Sequence, residues 1–98
     1  MTEPTGTIEH EEDGPRGGFV YKVDGRRLGE MTYSRVNDHL VIIDHTEVDP
    51  SLSGQGIGRR LLHAAVAWAR EHGTKFMATC PFALAQFKRD ASLKDVVA

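Results

Sequence analysis

The chain has 98 residues, a formal charge of −2, 40% apolar and 27% charged side chains, enough for one compact domain. The near-neutral balance gives no general attraction for nucleic acid, and no run approaches the roughly 18 apolar residues that a membrane helix needs. One cysteine, Cys80, excludes an internal disulfide and a thiol-based zinc site, and no two of the five histidines stand in HExxH spacing, so no metal is expected.

Taken in order, residues 1–6 are expected to be a flexible N-terminus ahead of a single domain over 7–98. The first eighteen residues are rich in Glu, Gly and Pro and have no basic start followed by an apolar stretch, which points to a cytoplasmic protein. A weak strand is expected near Thr7–Glu11. Phe19–Val23, the dipeptide Asp24-Gly25 and Arg27–Tyr33 read as a hairpin closed by a primed turn. A turn at Asn37-Asp38 leads into a further strand, Leu40–Val48. From Gly56 to His72 the apolar positions Ile57, Leu61, Leu62, Ala65, Val66, Trp68 and Ala69 mark one helical face, with Gly73 placed to stop the helix. Lys75–Thr79 reads as a short strand and Pro81–Arg89 as a second helix with proline at its first position. The order is β-β-β-β-α-β-α: an α+β fold, mainly antiparallel sheet with two helices. The tail from Asp90 has no clear pattern.

The segment joining the fourth strand to the first helix carries the chemistry. Ser53-Gly54-Gln55-Gly56-Ile57-Gly58 precedes Arg59-Arg60. A helix N-terminus offers unpaired backbone N–H groups and the positive end of the helix dipole, and glycines let an anion approach them closely. Two cations in the first turn oppose that dipole, which makes sense if an anionic ligand shares the site. A Walker A loop requires Gly-Lys before Ser or Thr, and here Gly58 is followed by Arg59. A dinucleotide fingerprint counted from Gly54 requires glycine where Arg59 stands.

The loop resembles the pyrophosphate-binding stretch of the GCN5-related N-acetyltransferase (GNAT) superfamily, Arg/Gln-x-x-Gly-x-Gly/Ala, with Ser53 in the place of Arg or Gln. Val41–Glu47, Leu52–Leu62 and Cys80-Pro81-Phe82 are similar to the short stand-alone members of that superfamily, which carry a Cys-Pro-Phe or Cys-x-Tyr motif after the fifth strand. The resemblance covers the chain from about Thr7, and departs at Asp90-Ala91-Ser92-Leu93, where members have His-Pro-Glu-Tyr. It implies a minimal GNAT fold that binds acetyl-CoA and transfers the acetyl group to an amine acceptor, small molecule or protein, which the sequence does not identify. Residues Ser53–Arg60 (Ser53, Gly54, Gln55, Gly56, Ile57, Gly58, Arg59 and Arg60) would hold the pyrophosphate, and the backbone of Glu47 and Val48 would pair with the pantetheine arm. Cys80 would lie near the acetyl group.

Two side chains are candidates for catalysis. Cys80 precedes a helix, where the dipole favours a thiolate; it could take the acetyl group, protonate the departing CoA sulfur, or be an inert buried thiol. His45 shares a strand face with Glu47, and Thr46 shares the other with Val48. His45 is either a base for the acceptor or a core histidine bonded to backbone. The rival from another class is a CoA-binding module that performs no transfer.

Overall fold

A computed structural model describes residues 6–98; the flexible start expected over 1–6 lies, apart from Gly6, outside the described residues. Four strands run as an antiparallel meander: β1 (Thr7–Asp13), β2 (Arg16–Val23), β3 (Arg26–Asn37) and β4 (Leu40–Val48). A 3-10 turn (Pro50–Leu52) leads to helix α1 (Ile57–His72), which returns the chain to β5 (Lys75–Ala78), parallel to β4. Helix α2 (Pro81–Arg89) and a second 3-10 turn (Ala91–Val96) follow, and the sheet order is β1-β2-β3-β4-β5. The expected α+β architecture is the observed one.

The local signals act as their chemistry dictates. Asp24 and Gly25 both have positive φ (51° and 77°), the conformation that lets a two-residue turn match the twist of its strands. Gly73 closes α1 in the left-handed region, its N–H reaching Ala69 O. Strand lengths differ from expectation. β2 starts at Arg16 rather than Phe19, because Gly17 and Gly18 are paired rather than loop residues. A Cβ on Gly17 would stand 2.5 Å from the Tyr33 ring, and one on Gly18 would stand 2.8 Å from Met31 O. β1 extends to Asp13, β3 runs four residues beyond Tyr33, and the turn expected at Asn37-Asp38 falls one residue later.

One face of the sheet is covered. Phe19 and Tyr21 of β2, Met31 and Tyr33 of β3, Val41 and Ile43 of β4 and Phe76 of β5 form a single core with Ile57, Leu61, Leu62, Ala65, Val66 and Ala69 of α1. Burying one such aliphatic side chain contributes about 1.5–3 kcal/mol. The tail that shows no pattern in sequence closes this core: Leu93 and Val96 are buried, and Ala98 N bonds to Phe76 O at 2.9 Å. Among the described residues the opposite face carries no helix, and Val20 is buried there among charged side chains such as Glu11, Arg27 and Glu30.

Strand β4 changes face partway along. Tyr33 pairs with Ile43 but Thr32 pairs with His45, so Asp44 is an extra residue, a β-bulge. Before it Val41 and Ile43 point into the core; after it Thr46 and Val48 do, opposite Met31 and Gly29. The bulge is fastened on the outer face, where Asp44 accepts hydrogen bonds from Thr32 Oγ1 (2.5 Å) and Ser34 Oγ (2.8 Å). Partial burial raises the pKa of this carboxyl, yet the two hydroxyls and Arg16 outweigh it and hold the pKa below the usual aspartate value.

Candidate active site

β5 pairs with β4 only along Leu40–Ile43. Beyond that point Ile43 O accepts from both Thr79 N (3.0 Å) and Cys80 N (3.1 Å), and the chain turns away into α2. The β5 side of residues 44–48 therefore has no strand against it among the described residues, and the space that opens there is bounded by the start of α1. The cavity holds about 330 Å³. Its walls are Thr46 and Val48 from β4, Ser53, Gly54 and Gly58 from the loop and first turn of α1, and Phe82 from α2.

The loop has the geometry that an anion site requires. Gly54 and Gly56 have φ of 82° and 72°, a region costly for other residues, and Gly56 is the N-cap of α1. Arg60 N is the first amide bonded back into the helix, to Gly56 O at 3.1 Å. The amides of Ile57, Gly58 and Arg59 therefore fall in the first turn, where no intrahelical acceptor exists. No side chain among the described residues caps them, and no acidic residue stands in that turn. Gly58 has a packing role as well: a Cβ there would meet Phe82 Cζ at 3.0 Å, so glycine lets α1 and α2 close over the cavity.

Of the expected site residues, Val48, Ser53, Gly54, Gly56, Ile57, Gly58 and Arg59 line this cavity. Gln55 and Arg60 do not. The Arg60 guanidinium lies 5.2 Å from the centre of the Tyr21 ring, a cation–π contact. Glu47 and His45 project from the uncovered face, 71% and 58% exposed, with His45 Nε2 3.7 Å from Glu47 Oε2. The reading of His45 as a core histidine is therefore overturned: the bulge turns it outward. Cys80 is buried at 3% exposure, at the N-cap of α2, and its Sγ donates to Thr46 Oγ1 at 3.2 Å. The structure thus joins Cys80 to Thr46 on the inner face and leaves His45 with Glu47 on the other. Thr46 was missed as a site residue. Its only signal in sequence is that it shares a strand face with Val48.

The cavity lies between splayed parallel strands of an α+β sheet and is floored by a glycine-rich helix start whose first-turn amides are unpaired. The GCN5-related N-acetyltransferase family matches residues 18–96, and the chain belongs to that family. It is 32% identical to mouse protein NATD1 and 30% identical to that of Xenopus tropicalis, in both cases over 79 residues, 80% of this chain and 72% of the relative. The NMR structure of a GCN5-like protein from Staphylococcus aureus superposes with a TM-score of 0.70 at 35% identity, covering 92% of this chain and 87% of the other. A GNAT acetyltransferase from Elizabethkingia anophelis, solved with acetyl-CoA bound, gives 0.67 at 13% identity over 89% and 74% of the two chains, a likeness of fold. No helix among the described residues is long and apolar enough to cross a membrane.

Proposed function

We propose that this protein is an N-acetyltransferase that binds acetyl-CoA in the β4–β5 cavity and passes the acetyl group to an amine. The observation that carries this reading is the junction of two features: unpaired first-turn amides of α1 and an unpaired strand edge along 44–48, opening on one cavity. Gly54 to Arg59 hold the pyrophosphate through backbone N–H groups, and the free edge of β4 at Glu47 and Val48 pairs with the amides of the pantetheine arm. Arg59, exposed at the cavity rim, adds charge to a phosphate.

The two faces of β4 support a division of labour. The donor lies on the inner face, and the acceptor amine comes from the uncovered face, where His45 and its neighbour Glu47 stand. The amine nitrogen attacks the thioester carbonyl carbon and gives its proton to His45 Nε2, the C–S bond breaks, and the departing CoA thiolate takes a proton from solvent. Direct transfer is favoured over an acetyl-cysteine because Cys80 Sγ stands behind Thr46 and not on the cavity wall.

Calorimetric titration with acetyl-CoA tests the binding step. Wild type should bind, and Ser53→Glu, a change at an exposed residue, should weaken binding at least tenfold by placing a carboxylate against the phosphates. Absence of binding by the folded wild type overturns the proposal.

A further inference from the structure

The geometry points to Thr46 as the residue that recognises the acyl group, donating its hydroxyl proton to the carbonyl oxygen of the thioester; this inference rests on the acetyl-CoA reading above. Thr46 is one of the few polar side chains on an inner face that is otherwise apolar, and it is there because of the bulge at Asp44. With strict alternation from Ile43, position 45 would point inward and Thr46 would face solvent. The Thr32–Asp44–Ser34 clamp on the far side fixes that exchange of faces.

A threonine hydroxyl has one proton to donate and two lone pairs. Cys80 Sγ–H occupies a lone pair at 3.2 Å. The hydroxyl's own proton has no protein acceptor among the described residues, and Thr46 is part of the cavity wall beside Val48. The thiol behind it therefore sets the direction of the hydroxyl, steering the free O–H toward the space where the acyl end of the ligand lies. A carbonyl oxygen is an acceptor that fits this donor. The thiol of free CoA has no such oxygen, so the contact discriminates between the acylated and the free cofactor. Cys80 is a positioning residue in this arrangement: it acts on the ligand through Thr46.

The test compares acetyl-CoA with free CoA as titrants of wild type, Thr46→Val and Thr46→Ser. Wild type should prefer acetyl-CoA. Thr46→Val, which keeps the shape and suits a strand, should bind acetyl-CoA about fivefold more weakly, the worth of one neutral hydrogen bond, and free CoA within about twofold of wild type. Thr46→Ser restores the hydroxyl and should restore the preference. An unchanged ratio of the two affinities in Thr46→Val, or an equal loss for both ligands, overturns the inference while leaving acetyl-CoA binding intact. Failure of wild type to bind either ligand instead removes the acetyl-CoA reading itself.

Discussion

The two halves of β4 differ in composition, Leu40-Val41-Ile42-Ile43 against Thr46-Glu47-Val48, and in what stands beside them. Leu40–Ile43 is enclosed by β3 on one side and β5 on the other, and its inward residues Val41 and Ile43 are 0% and 1% exposed. Thr46–Val48 has β3 on one side only, and its inward residues border a cavity. One extra residue, Asp44, separates them. The enclosed half is paired on both edges and supplies stability, whereas the half with one free edge is the one the proposed ligand would meet.

The sharpest way to break this comparison is to truncate the enclosed half. Ile43→Ala should lower unfolding free energy by about 2–5 kcal/mol in urea denaturation, as for a buried aliphatic side chain that leaves a cavity. A loss below about 1 kcal/mol would show that the enclosed half does not carry the stability. Gly56→Val forces a β-branched residue into the left-handed region at φ 72°; the expected cost is about 1–3 kcal/mol, with acetyl-CoA binding lost along with it. Full affinity in that variant would show that the left-handed N-cap is dispensable.

Asp44→Ala removes two hydroxyl–carboxylate bonds and tests what separates the halves. We expect a loss of about 1–2 kcal/mol, and a fall in acetyl-CoA affinity larger than in free-CoA affinity as Thr46 loses its fixed direction. Equal effects on the two ligands would detach the clamp from the site.

The smallest effect is expected far from β4, as a control. His10 stacks on Phe19 at 4.4 Å and shares a hydrogen bond with Tyr33 Oη at 2.7 Å. Burial lowers its pKa below the usual histidine value, assisted by His72 and Arg35 and opposed by Glu12. The unfolded chain then binds more protons than the folded one, so this group's contribution is present above the ordinary histidine pKa and is lost as pH falls through the folded value. The thermal midpoint should fall slightly between pH 7 and pH 5, and less so in His10→Gln. A midpoint that rises on acidification would contradict the sign.

Much of the fold was legible because its signals are local. Asp24-Gly25 has one cheap conformation between two apolar runs. The spacing of Ile57, Leu61, Leu62, Ala65 and Ala69 suits one helical face, and Pro81 and Gly73 mark helix ends within a residue of where they fall. The 91–96 turn was not legible, since Leu93 and Val96 carry no periodicity and owe their conformation to the core they cover. The glycine loop was legible as a helix start with free backbone amides from residue type alone. Which of its residues line the cavity was not: Gln55, in the loop before α1, and Arg60, in its first turn, are adjacent in sequence to lining residues but are not among them.

By itself, the sequence determined the order of elements, the glycine-rich helix start and the place of Cys80 ahead of α2, because each depends on backbone preferences of a few neighbouring residues. It also determined that His45 pairs with Glu47 and Thr46 with Val48 on two strand faces. Which pair looks inward was decided only by the tertiary structure. A bulge is a mismatch between two strands and has no signature in either alone. The register of β3 against β4 made Asp44 the extra residue, and that choice set Thr46 against Cys80 and the cavity and sent His45 to the open face.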